Sequence, residues 1–92
     1  MSDQQIIITV SGVDKVGIVA GVANVLAEYG VNIEDIKQTL MQGHFVMFML
    51  GNIAGSKYSF KEIKEALLCE GKELGMEIWV QRKEIFDNMH KV

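Results

Sequence analysis

The stretch Thr9-Val10-Ser11-Gly12-Val13-Asp14-Lys15-Val16-Gly17-Ile18-Val19-Ala20-Gly21-Val22 constrains this chain more than any other. It closes an apolar run of strand character, turns on glycine beside an acid, and opens a helix with one apolar face. Such a junction leaves backbone N–H groups at the helix start without intrahelical acceptors, a place suited to a small anion or a carboxylate. Asp14 is placed to cap the helix, with Gly17 three residues on, where a capping box carries Glu or Gln. A tight capped turn with nothing bound accounts for the same residues, so both readings stand at this point.

The strand that enters the junction is Gln5–Ser11, and Ile6-Ile7-Ile8-Thr9-Val10 is almost wholly β-branched. Ile6, Ile8 and Val10 share one face, Ile7 and Thr9 the other, which predicts a central strand or one covered on both sides. The helix that leaves it is predicted from Lys15 to Tyr29, with Ile18, Val22, Val25, Leu26 and Tyr29 as its stripe. Ala20, Ala23 and Ala27 allow close packing. Gly21 is read as a point of close approach to a neighbouring strand, and Gly30 as the stop.

A second strand reads from Val31 or Asn32 through Gln42. Its apolar parity slips between Ile33 and Ile36, with Glu34-Asp35 between, as a bulge would make it slip. Gly43 makes the turn into His44–Leu50, apolar on both parities and therefore predicted central with both faces covered. A loop follows to Tyr58. Ser59 and Glu62 have capping-box spacing, and Phe60, Ile63, Leu67 and Leu74 stripe the second helix, which Gly71 is expected to interrupt. Met76–Gln81 is the last strand, with Met76, Ile78 and Val80 toward the core and Glu77, Trp79 and Gln81 away from it. Ile85, Phe86 and Met89 are spaced for a short amphipathic helix in the tail.

The order strand, helix, strand, strand, helix, strand predicts an α+β, ferredoxin-like βαββαβ fold. Its four-stranded antiparallel sheet carries both helices on one face, with a helical tail at residues 83–92. Residues 1–5 read as a flexible start and 6–82 as one domain. With 92 residues the chain has little core to spare, and the bare sheet face would present Ile7 and Trp79. A homodimer covering these two residues is the expected answer; the alternative is that the C-terminal segment around Phe86 folds back and covers that face in the monomer.

Function classes fall away in turn. A net charge of −3 argues against a nucleic-acid backbone as partner. Trp79 is the one candidate stacking aromatic, and Glu77 and Gln81 flank it. No stretch is long enough to span a membrane, and the first apolar run lacks the basic flank of a leader, so a cytoplasmic protein is expected. The one cysteine, Cys69, reads as an inert, partly buried thiol. His44 reads as an exposed turn or edge residue, far in sequence from His90. Glu34 and Asp35, adjacent in a strand, should face opposite ways and so make no carboxylate pair. Met41, Met47 and Met49 fit core filling better than a soft-metal site. Neither catalysis, nor a metal, nor a cofactor is expected.

Gly12-Val13-Asp14-Lys15-Val16-Gly17-Ile18-Val19, followed after the helix by Gly30-Val31-Asn32-Ile33-Glu34-Asp35-Ile36, resembles the ACT domain family. These are small regulatory ligand-binding domains of amino-acid metabolism. The closer likeness is to short stand-alone ACT domain proteins, and it covers Ile6 through Gln81; Val16 stands where the family usually carries proline. The resemblance implies an amino-acid effector held at a dimer interface. Gly12, Val13, Asp14, Val16, Gly17 and Ile18 would meet one end of it, and Asn32 and Ile33 of the facing subunit the other. Backbone N–H groups suit an α-carboxylate, while Asp14 and the Asn32 side-chain carbonyl suit an ammonium. The expected function is a non-catalytic amino-acid-binding regulatory module, signalling to a separate regulated protein. The alternative is a structural or protein–protein interaction module with no ligand.

Overall fold

The computed structural model describes residues 4–89. Strand β1 (Gln5–Val13) leads to helix α1 (Ile18–Glu28), then to β2 (Asn32–Met41) and β3 (His44–Asn52). Helix α2 (Phe60–Leu74), β4 (Glu77–Arg82) and α3 (Lys83–Met89) complete the described chain. The sheet is antiparallel in the order β2-β3-β1-β4, so β1 and β3 are central and β2 and β4 are edges. This is the expected βαββαβ architecture with an additional C-terminal helix. The sheet begins at Gln5, within the segment expected to be flexible, and the Ile53 N–H donates to the Gln4 carbonyl.

Hydrophobic burial selects one face of the sheet. Ile6, Ile8 and Val10 of β1, Met47 and Met49 of β3, and Ile78 and Val80 of β4 form one core with Ile18, Val22 and Leu26 of α1 and Ile63 and Leu67 of α2. The alternation that predicts β4's inner residues is therefore the alternation observed. α2 begins with the predicted capping box: the Glu62 N–H donates to Ser59 Oγ and the Ser59 N–H to Glu62 Oε1. The parity slip in β2 is a break of register between Ile33 and Asp35.

Several expectations are corrected by packing. α1 starts at Ile18 rather than Lys15, because Asp14–Gly17 are spent crossing from the sheet to the helix layer. Gly21 faces α2 rather than a strand: a methyl there would lie 2.7 Å from Glu70 Oε2 and 3.3 Å from Leu74 Cδ1. Gly71 does not break α2, which continues to Leu74; it lets β4 approach, since a methyl would meet Ile78 Cγ1 at 3.0 Å. Cys69 is exposed rather than partly buried.

The sheet face away from α1 and α2 is partly covered by the chain itself. α3 follows β4 without a connecting loop and turns back against β1 and β4. The Phe86 ring meets Phe48 edge-on, with centroids 6.4 Å apart. Ile7 is thereby left 9% exposed, whereas Phe48 is 42% and Trp79 50% exposed. β3 is thus central but not covered on both faces. The last part of the expected tail, including His90, lies outside the described residues.

Candidate functional site

Between β1 and α1 the backbone makes an exposed bridge, Asp14-Lys15-Val16-Gly17, and Val16 is 99% exposed. Two contacts fix it. The Asp14 N–H donates to the Gly43 carbonyl at 3.0 Å, tying the bridge to the β2–β3 turn, and the Gly21 N–H donates to the Gly17 carbonyl at 2.9 Å. The β2–β3 turn is a two-residue hairpin, Gln42-Gly43, closed by Met41 opposite His44. Its φ values of 52° and 83° have the sign a type I′ turn requires.

Gly17 is the N-cap of α1 with φ 91° and ψ 2°, and no side chain caps the helix. The expected Asp14 cap is not made, because Asp14 lies three residues ahead of the N-cap, beyond the reach of the first-turn amides. No acidic residue occupies the first turn. The opening amides of α1 therefore face outward with the positive end of the helix dipole and no internal anion to meet them. Ile18 offers only its amide, since its side chain is 2% exposed and belongs to the core.

The two glycines here have different causes. Gly12 has φ 158°, and a methyl there would also stand 2.7 Å from Met76 Sδ, so that glycine serves both its own backbone and packing against the entry to β4. At Gly17 there is open space, and the positive φ is what requires glycine. Lys15 leans away toward the C-terminal end of α2, where a methyl on Gly75 would lie 3.0 Å from its Nζ. A cation at that end is favoured by the helix dipole.

Gly12, Val13, Asp14, Val16, Gly17 and Ile18 thus form one cluster, but Asn32 and Ile33 do not join it. Asn32 stands opposite Asn52, which is opposite Gln5, whereas the bridge leaves the sheet at Val13 opposite His44. The length of β1 separates those ends, about 27 Å at the usual strand rise. Ile33 packs against the core. Beside it, Glu34 accepts hydrogen bonds from Gln5 Nε2 at 2.8 Å and Asn52 Nδ2 at 3.1 Å. These two donors, Gln5 first, hold its carboxyl below the usual carboxylate value. Glu34 consequently shares the α3-bearing face with Asp35, and the expectation of opposite faces fails because the break of register turns it there.

The expected interface pair is split in the same way. Ile7 is occupied by the chain's own α3, while Trp79 stays half exposed. One pairing is absent from the sequence reading: Ser11 Oγ and His44 Nε2 are 2.9 Å apart on the α3-bearing face, from strands whose proximity no spacing reveals. Three hollows, of about 500, 200 and 230 Å³, lie along the β4 edge, beneath α3, and between Tyr29 and Tyr58. None of these three is lined by residues 12–18 or by Asn32. Among the described residues no group of three or more His, Cys, Asp and Glu side chains could hold a metal ion. Among the described residues no helix is long and apolar enough to cross a membrane.

A family model described as the ACT domain matches residues 4–81. A UPF0237 protein of Listeria innocua is 49% identical over 86 residues, covering 94% of this chain and 97% of its own length. The solved structure of an ACT domain protein from Streptococcus pneumoniae superposes with a TM-score of 0.78 at 38% identity, covering 90% of this chain and 93% of that one. The regulatory subunit of aspartate kinase from Thermus thermophilus, in its ligand-free form, superposes at 0.67 with 26% identity; 87% of this chain matches 52% of that one.

Proposed function

The chain belongs to the ACT domain family, and from that premise we propose that it is a non-catalytic regulatory module that binds an amino acid between two copies of itself. ACT domains generally bind small ligands and mediate regulation. The observation that carries the reading is the uncapped start of α1 beside the exposed Asp14. Outward amides take a carboxylate, and Asp14 takes an ammonium, the two charged groups that every α-amino acid carries. The site needs a second copy, because Asn32 lies at the far end of its own sheet. Val16, at 99% exposure, is the apolar residue that such a copy would cover. The regulated protein is a separate chain of a reducing cytoplasm, in keeping with the free thiol of Cys69.

Calorimetric titration with the common amino acids tests this reading, using protein refolded free of carried-over ligand. Asp14→Ala and Asn32→Ala should each weaken binding by about 1.5–3 kcal/mol, the usual cost of losing a charge-assisted hydrogen bond. Because Asp14 caps nothing, its substitution should leave the melting temperature nearly unchanged. No binding by the unaltered protein at millimolar amino acid rejects the ligand. The exposed apolar side chains of Val13, Val16, Leu40 and Met41 would then favour the alternative, a ligand-free interaction module.

A further inference from the structure

Helix α2 is polarised by charge around its axis. Lys61, Lys64, Leu68 and Lys72 recur at helical spacing and share one flank. Lys64 and Leu68 line the hollow of about 500 Å³ along β4, so this flank is the one turned to the β4 edge. The glutamates of the helix lie elsewhere. Glu62 closes the cap, Glu70 stands beside Gly21 toward α1, and Glu65 and Glu73 fall on the exposed outer side. Arg82 continues the basic flank past the start of α2, its guanidinium 4.5 Å from the centre of the Phe60 ring. Among the described residues Lys61, Lys64 and Lys72 form no ion pair. In a chain of net charge −3, this edge is a local reversal of sign.

The same hollow reaches round the edge of the sheet. Lys64 and Leu68 line it from the helix-bearing side, and Phe48, Trp79 and Phe86 from the α3-bearing side. β4 runs between them, with β1 as its one neighbouring strand among the described residues. A hollow that shows both faces of an edge strand is shaped for an added strand rather than for a compact small molecule. The newcomer's backbone would pair with β4, and its side chains would alternate between the two faces. On one face they meet the lysines of α2. On the other they meet Trp79, 50% exposed, and the rings beside it, with exposed Glu77 further along to repel an acid.

We infer that β4 takes up an extended segment of another protein in which acidic and apolar residues alternate, the acids toward α2 and the apolar side chains toward Trp79. The inference rests on the regulatory reading for the existence of a separate partner chain, and adds where that partner is met and what it is made of. A second copy of this chain does not suit the edge. Pairing β4 with β4 about a twofold axis normal to the sheet sets the two basic flanks against each other across the seam.

Trp79 is the only tryptophan of the chain, so its emission reports the site directly. The probe is a capped peptide as long as β4, six residues, of alternating glutamate and valine. One control alternates lysine and valine; the other carries the same glutamates and valines in two blocks. The alternating acidic peptide should shift Trp79 emission to the blue, more weakly as salt is raised, and neither control should. Methylating alternate backbone nitrogens of the peptide tests the pairing. One methylated set should abolish binding and the other leave it, because only one edge of the added strand faces β4. In Lys61→Glu/Lys64→Glu, at two exposed positions, affinity for the acidic peptide should fall about tenfold and the lysine–valine peptide should now bind. No shift at millimolar acidic peptide, equal binding of the two methylated forms, or an unchanged preference in the charge-swapped variant overturns the inference. Emission that moves on dilution of the protein but ignores peptide gives the edge to a second copy and overturns it as well. The amino-acid titration is read separately. Peptide binding by a protein that binds no amino acid keeps the surface and rejects the ligand, whereas amino-acid binding without peptide binding does the reverse.

Discussion

A contact and a torsion together account for glycine at Gly12, and a torsion alone at Gly17. A methyl at Gly12 meets Met76 Sδ at 2.7 Å inside the core, while one at Gly17 meets nothing but is held at φ 91°. Gly12→Ala should therefore cost about 1–3 kcal/mol through overpacking and backbone together, and Gly17→Ala about 1–2 kcal/mol through the left-handed backbone. The causes separate in a double-mutant cycle followed by urea unfolding. Met76→Ala is expected to relieve the contact part of Gly12→Ala, leaving the backbone part, and to add independently to Gly17→Ala. Equal coupling of Met76 to both glycines would contradict this assignment. The residues of the bridge were readable as a cluster because they are consecutive. The help they receive from Gly43 was not, since hairpin and bridge meet only when β1 and β3 pair.

Among the elements, those with an uninterrupted period were the legible ones. The Ser59–Glu62 box, the inner face of β4 and the phase slip in β2 follow from spacing alone, because each is a local consequence of side-chain direction. What spacing leaves open is the neighbour. Gly21 and Gly71 both mark close approach, yet only the assembled layers show that the first faces α2 and the second β4. The amphipathic spacing of α3 leaves the bare sheet face to be covered either by a second copy or by the segment around Phe86, and around Ile7 the chain's own segment is the one that covers it. The irregular start of β2 carries its own test. Gln5 and Asn52 hold Glu34 below its ordinary pKa, so the clamp is fully present above that ordinary value and is lost as pH falls through the lowered one. The carboxylate is exposed, so the effect should be local. The protection of the amides around Ile33–Asp35, taken relative to their intrinsic exchange rate at each pH, should fall in acid, and Glu34→Gln should flatten that dependence. Protection that does not change with pH in the unaltered protein would show that the clamp does not close in solution.

The whole molecule is a slab, 37 by 35 by 18 Å, with α1 and α2 on one face of the sheet and the short α3 against part of the other. Two copies set side by side keep the 18 Å thickness, whereas a dimer stacked through Trp79 would thicken the slab and hide the hollow along β4. Small-angle scattering should find twice the monomer mass with an unchanged thickness, and a thickness near double would move the interface to the Trp79 face. Ending the chain at Arg82 should expose Ile7 and Phe48 and raise dye binding to apolar surface, with little loss of dimer mass. The strand order has a further consequence, for the time during which the chain is made. β1 leaves the ribosome first, yet its two ladder partners are β3 and β4, and β4 closes the sheet at Arg82. At roughly 5–20 residues per second, several seconds pass between the synthesis of Val13 and that of Arg82. Until β3 is made through Asn52, Ile6-Ile7-Ile8 has neither ladder partner, and until Arg82 it keeps one open edge, a β-branched run of the kind that seeds aggregation. The strand at the centre of the finished sheet is thus the segment of the newborn chain most in need of a chaperone.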